Sequence, residues 1–538
     1  MSRFRSLVAL LLLTGLVAAG CSKSSGSTDT SATDEPAAQR SNVQDLRVAV
    51  GDDPFMAGNP AATDVGTRAN GPNPGIFETL TQISDTYGAE AALALRWESP
   101  NPRTWRFFLR KNVSFHNGAP FDSDAVVTNL EAIAHRQTRP RGLDPGTAKA
   151  TAPDVVEVDL TQDNTLLPEQ LANPGYLMIA PGTRAGAGDT PETTPTGTGP
   201  FVFVSYTHGT ELKMKANPKY WGGAPQLNNL LFRFGPEKDA SRLLATRQVE
   251  IVGNIAYANM AAVSGRTDKN VASPAATAAY LLLNTGGTDQ WTTLKDDNLR
   301  KAVAESIDRT DLIKTGFEDH GIASTTLIPS LVLGSDAASR ITPPSLNPLD
   351  AKKLLDAAGY AAILPGGMRS KDGKPLVLNL LLSKPIDQAK VADTLKAQLA
   401  QVGIGVQVQD PGSETPFAVV NDTTFDMFLD VRPQDDANPC ALCRFFTLKS
   451  GNQYLAYSTA AGGGPKADDT YDRLFSAAAV DTARRSAADI MQIVTDERFT
   501  AVPLASLRTE WLTSPRVRGF QPAADGGAQH WEGVYLTV

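Results

Sequence analysis

From Phe425 to Pro439 the chain reads FDMFLDVRPQDDANP, a run of acids and one guanidinium at the point where an apolar strand gives way to a turn-rich loop. Asp435 and Asp436 supply carboxylates that can cap the turn or accept from a cationic ligand. Arg432 can pair with Asp430 or Asp435, or it can receive a ligand carboxylate. Just beyond lie Cys440 and Cys443, in a Cys-x-x-Cys spacing without the βαβ context of a redox pair. A zinc site would need two further ligands from a chain with five scattered histidines, so the spacing reads as a small structural disulfide. Asn284 and Trp291 follow the apolar run 281–283 and are candidates to line a cleft. No nucleophile elbow, zinc-protease helix, Walker loop or dinucleotide fingerprint occurs. The run GTGPF at 197–201 lacks the Lys-Ser/Thr of a phosphate loop and leads into Val202, Phe203 and Val204, a strand and not a helix. The residues therefore point to binding, with no catalytic set, metal site or cofactor.

The elements that must hold these residues are legible from periodicity. Residues 46–50 alternate as a short strand, as do Trp105, Phe107 and Leu109. Residues 111–118 read as a second short strand closed by an Asn-Gly turn, and Asp122 to Asp124 cap a helix carrying Val126, Val127, Leu130 and Ile133. Residues 281–284 fit a buried strand, ahead of a helix capped by Asp296 or Asp297. A strand over 376–382, a helix face of Ala392, Leu395, Leu399 and Val402, a stop at Gly403 and a strand over 404–408 form a β-α-β unit. Ala487, Ile490, Met491 and Val494 make one more helical stripe before the strand 502–504.

At 538 residues the chain exceeds one hydrophobic core, so two or three domains are expected. Its net charge of −8 argues against non-specific nucleic-acid binding. Met1 to Arg5 form a basic start, an apolar run too short to span a membrane follows to Val17, and Val17-Ala18-Ala19-Gly20-Cys21 resembles the lipobox of bacterial lipoproteins. That resemblance implies a signal peptide over 1–20 and lipidation at Cys21. Residues 22–42, rich in Ser, Thr, Ala and Asp, read as a flexible tether.

Five motifs carry a wider resemblance. FFLRKNVSFHNGAPFDSDAV (107–126) resembles the "FxLRxxVxFHxGxPxxxxDV" pattern of the extracellular solute-binding proteins that deliver peptides or nickel to ABC importers. Ile76 to Leu80 resembles that family's "hyEtL" helix, GTGPF its return from the second domain to the first, and NPKYWGGAP (217–225) its "NpxYWgGxP" turn, which we read as structural. LRKAVAESIDRTDLI (299–313) resembles its "vRqAlayAiDR" helix.

The resemblance implies an α/β, two-lobed, periplasmic-binding-protein-like fold in its three-domain variant, with a cleft between lobes. The expected parts are a signal peptide (1–20), a tether (21–44), a first domain (45–83, 198–285 and 510–538), an accessory second domain (84–197) and an opposite lobe (286–509). The family carries "yDmxxxgWxxDxxDP" over the loop described first. Its peptide-binding members use the first Asp after the Trp to hold the substrate's α-ammonium, which falls on Asp435; here Arg432 replaces the Trp and Asn438 the last Asp. What is implied is a lipid-anchored, monomeric, non-enzymatic receptor outside the cytoplasm, serving a permease and an ATPase with short peptides. The alternative is a receptor of the same fold for a metal chelate or another small metabolite.

Overall fold

The run Thr277–Leu283, TAAYLLL, is a strand buried at every position after Thr277, within the molecule's largest apolar region. Its alternate residues face different cores. Ala278, Tyr280 and Leu282 join the apolar cluster on one side, while Ala279, Leu281 and Leu283 join the cluster on the other. A strand covered on both faces reads as a continuous apolar run, which is how this sequence reads. It sits inside a six-stranded sheet, between Met427–Pro433 and Ala501–Leu507, both antiparallel to it. Gly321–Ala323 and Gly405–Val408 form the sheet's edges, and Val377–Leu382 pairs parallel to both Gly405–Val408 and Met427–Pro433. The predicted β-α-β unit is therefore present, with the helix Pro385–Ala400 as its crossover. Pro503, which lacks an amide donor, lies where the register between Ala501–Leu507 and Thr277–Leu283 shifts, a site that tolerates proline.

Residues 277–285 were expected in the first domain, but 277–283 is a central strand of the opposite sheet. Its apolar run is satisfied only with a layer on each face: residues 467–494 cover one side, and residues 299–307 and 391–402 cover the other.

The structure, a computed structural model, describes residues 39–51, 75–136, 139–183, 194–235, 242–255, 269–286, 289–383, 385–410, 419–420, 422–434, 437–447, 462–522 and 530–538. Arg40–Val538 is one compact unit. A second, seven-stranded sheet gathers Lys269–Ala272, Glu510–Thr513, Ile251–Ile255, Asp45–Val50, Asn229–Phe234, Glu211–Ala216 and Phe201–Thr207, in that spatial order. A third, four-stranded sheet runs Ala94–Asn101, Thr104–Leu109, Val155–Asp159, Ala148–Ala152, with the helix Ser123–Ala134 across it. Trp105, Phe107 and Leu109 are buried here as predicted, and the Asp122 carboxylate caps the helix by accepting from the Ala125 amide at 3.0 Å.

Two local readings change. Residues 111–118 hold a turn with one isolated bridge, Ser114 to Pro120, and no strand; Asn112 lies at φ 61° and Gly118 at φ 85°, backbone states that break a ladder. The "hyEtL" segment is extended and not helical, with Glu78 bridged to Met178. The Glu78 side chain is needed by distant partners, which an extended backbone delivers.

Candidate solute-binding loop and its supports

The signature motifs converge on one knot. The Glu78 carboxylate accepts from Thr198 Oγ1 at 2.7 Å, from the Tyr220 hydroxyl at 2.9 Å and from Trp221 Nε1 at 3.0 Å. Burial pushes its pKa up and these three donors pull it back. His116 binds the same loop from the other side, its amide donating to Gly197 O and its Nε2 lying 2.9 Å from Gly199 O. Burial holds the His116 imidazole below its ordinary pKa. A Cβ at Gly197 or Gly199 would lie 2.1 or 2.2 Å from a backbone oxygen of Ile76 or Gly75, so only glycine permits the approach. The Arg110 guanidinium stacks 4.0 Å from the Trp221 ring centroid. The motifs at 76–80, 107–126, 197–201 and 217–225 thus weld the four-stranded sheet to the seven-stranded one.

The two large sheets are joined differently. Ser273–Ala276 leads from Lys269–Ala272 into Thr277–Leu283, and residues 508–509 lead back from Ala501–Leu507 into Glu510–Thr513. The two connections run side by side, tied by the Ser273 amide to Thr509 O (2.9 Å) and the Thr509 amide to Ser273 Oγ (3.0 Å). Register continues on both sides, with Ala272 opposite Glu510 and Thr277 opposite Leu507.

The candidate loop leaves the six-stranded sheet at this end. Thr277 faces Pro433 and Ala278 faces Arg432, and the Gln434 amide donates to Ala276 O at 3.1 Å, beside the connection itself. Arg432 bonds Asp430 Oδ2 through Nε (3.1 Å) and Nη2 (3.0 Å), and its guanidinium lies 4.7 Å from the Phe445 ring centroid. Its side chain is 23% exposed against 2% for Asp430, whose Oδ2 also accepts the buried Tyr280 hydroxyl at 2.8 Å. The pair is neutral as a unit, so a ligand meeting Arg432 finds a polarised group and no net positive charge. Tyr280 went unnoticed in the sequence; its register opposite Asp430 is a tertiary fact. Cys440 and Cys443 are joined as a disulfide, and Asn438 Oδ1 accepts the Cys440 amide at 2.9 Å. Asp435 and Asp436, the acids expected at the ligand, lie outside the described residues, as does Cys21.

Asn284 and Trp291 are not part of this cluster. Asn284 follows Leu283, which faces Met427, so it sits six residues along the strand from the Arg432 register, about 20 Å away. It is fully buried, and its amide is spent on structure. Nδ2 donates to Thr423 O (2.8 Å) and Phe425 O (2.7 Å), while Oδ1 accepts the Gly286 amide (3.0 Å). Trp291 lies in the short helix Asp289–Lys295, beyond that same far end. The antiparallel register thus separates both residues from Arg432. Among the described residues no group of three or more His, Cys, Asp or Glu could hold a metal ion.

Residues 88–454 match the family described as "Bacterial extracellular solute-binding proteins, family 5 Middle", well over half of the chain. The chain belongs to that family. Among relatives of this family-5 protein, the "Glutathione-binding protein GsiB" of Pectobacterium atrosepticum is 28% identical over 316 residues, 57% of each chain. The match therefore spans a little over half the length of that curated relative. NikA from Brucella suis, solved with Fe(III)-EDTA, superposes with a TM-score of 0.74 at 20% identity, covering 92% of this chain and all of that one. The oligopeptide-binding protein AppA from Bacillus subtilis, solved with a nonapeptide, gives 0.70 at 19% identity over 93% and 100%. The chain shares the periplasmic-binding-protein fold of both solved structures, and its family is one of solute-binding proteins. No described helix is long and apolar enough to cross a membrane.

Proposed function

We propose that this family-5 protein is the receptor of an ABC importer, capturing short peptides between its two large sheets and presenting them to a membrane permease driven by an ATPase. The observation that supports the reading is the position of the segment 432–434. It leaves the six-stranded sheet beside the paired connections, where a ligand would touch both lobes. The lobes are assigned as the seven-stranded sheet with its welded four-stranded neighbour on one side and the six-stranded sheet on the other. They close by rotation at residues 273–276 and 508–509. An extended peptide there is held through its backbone, with loose side-chain selectivity, and Asp435 receives its α-ammonium. Titration of a tripeptide against its N-acetylated form tests this. A charge-assisted bond is worth ~1.5–3 kcal/mol, so the free amine is expected to bind roughly ten- to a hundredfold tighter. Equal affinities would remove the amine anchor.

A second reading rests on Arg432, which stands where peptide-binding relatives resembling this chain carry Trp. Its partly exposed guanidinium suits a carboxylate of a metal chelate or of a small anionic metabolite, although Asp430 already neutralises it. Lipidation at Cys21, with residues 22–44 as tether, places the body at the extracytoplasmic membrane face. Replacing Cys21 with Ser is then expected to move the protein from the membrane fraction to the medium or periplasm.

A further inference from the structure

The four-stranded sheet's neighbourhood reaches across to the six-stranded lobe at a place far in sequence from the paired connections. The tip of the hairpin Thr81–Ile83/Ala89–Ala91 carries Tyr87, which is fully buried in the apolar cluster of the opposite lobe, as is Leu166. Around them run polar contacts to the helices Gly464–Phe475 and Val480–Gln492. The Thr165 amide donates to Phe475 O (3.0 Å) and its hydroxyl to Ala477 O (2.7 Å). Arg141 Nη2 pairs with Asp472 at 3.1 Å while its guanidinium lies 5.0 Å from the Phe475 ring centroid. Arg484 Nη2 donates to Tyr87 O at 3.2 Å.

Two features mark this as a contact that can part. Tyr87 is held at φ 55°, a left-handed state that costs a bulky residue and persists only where surroundings enforce it. Glu169 Oε2 and Arg484 Nε are buried there without hydrogen-bond partners, an imperfect fit for permanent packing. Geometry supplies the rest. The Glu78 knot fixes the hairpin's side to the seven-stranded sheet, whereas the six-stranded lobe is tied to that sheet through the paired connections at 273–276 and 508–509. Rotation at those connections must therefore break the Tyr87 contact.

We infer that the Tyr87 hairpin tip and residues 165–166 are a closure latch, docking into the helices of the opposite lobe and setting the open–closed balance in the absence of any solute. It rests on the two-lobe reading above, and it holds for either class of solute. The Thr165 amide reports it directly, because its acceptor lies across the interface. In the purified, ligand-free protein, Arg141→Gln combined with Arg484→Gln is expected to raise the radius of gyration in small-angle scattering. The same change should speed exchange at the Thr165 amide by about tenfold, with the far-ultraviolet dichroism unchanged. Thr165→Val, which removes only the hydroxyl contact, is expected to shift both readouts the same way and serves if the double variant fails to fold. An unchanged radius and unchanged exchange would overturn the latch. So would a lowered unfolding temperature with no change in radius, which would make the interface static packing. Ligand titration of the same variants keeps the two readings separate: failure to bind peptide leaves the scattering result standing.

Discussion

At the scale of single residues, two buried acids carry different loads. Glu78 accepts three part-buried donors, and removing it deprives all of them of that acceptor. Glu78→Ala is expected to lower unfolding stability by roughly 1–3 kcal/mol, read by denaturant titration, the range for donors that lose a buried acceptor. Glu169 is the opposite case. Burial pushes its pKa up to about 7, and the Arg484 charge offsets this only in part. A carboxyl raised in the folded state adds stability that is full below its unfolded pKa of about 4.5 and is lost as pH rises through about 7. Glu169→Gln, neutral at every pH, is therefore expected to melt close to wild type at pH 5 and clearly above it at pH 8. Parallel melting curves at both pH values would contradict the assignment. Neither load was readable from the chain, because Glu169 looks like any first-turn helix acid until the opposite lobe covers it.

At the scale of elements, periodicity placed the strands 46–50, 104–109 and 377–382 and the cap at Asp122, since each signal lies within a few residues. Periodicity could not assign Thr277–Leu283 to a sheet, because a run buried on both faces gives no preferred side. Leu281, fully buried at the centre of that strand, is the place to measure what the two layers contribute. Leu281→Ala is expected to cost about 2–5 kcal/mol, depending on how far the cavity collapses. The loop at 197–199 is set by space and not by burial: Gly199→Ala would drive a Cβ to 2.2 Å from Gly75 O. That variant is expected to destabilise the junction of the four- and seven-stranded sheets and to release hydrogen-exchange protection at the amides of residues 199 and 201, which donate to Ile76 O and Gly75 O.

At the scale of the whole molecule, the family was legible because its motifs are structural. Glu78, His116, Gly197, Gly199, Tyr220 and Trp221 meet in space and fix the framework, so their types are constrained whatever solute is carried. The solute is less legible for the same reason. The two departures from the family's pattern in its loop, Arg432 and Asn438, sit beside Pro433 at the strand's end and beside the Cys440–Cys443 bridge, outside that framework of shared motifs. The central claim is that this loop receives short peptides by their amino end. Native mass spectrometry of the protein purified from cells tests it most directly. A ladder of co-purified short peptides, lost in Asp435→Ala, is the predicted result; a single discrete mass that survives the substitution, metal-containing or anionic, would contradict it and turn attention to Arg432.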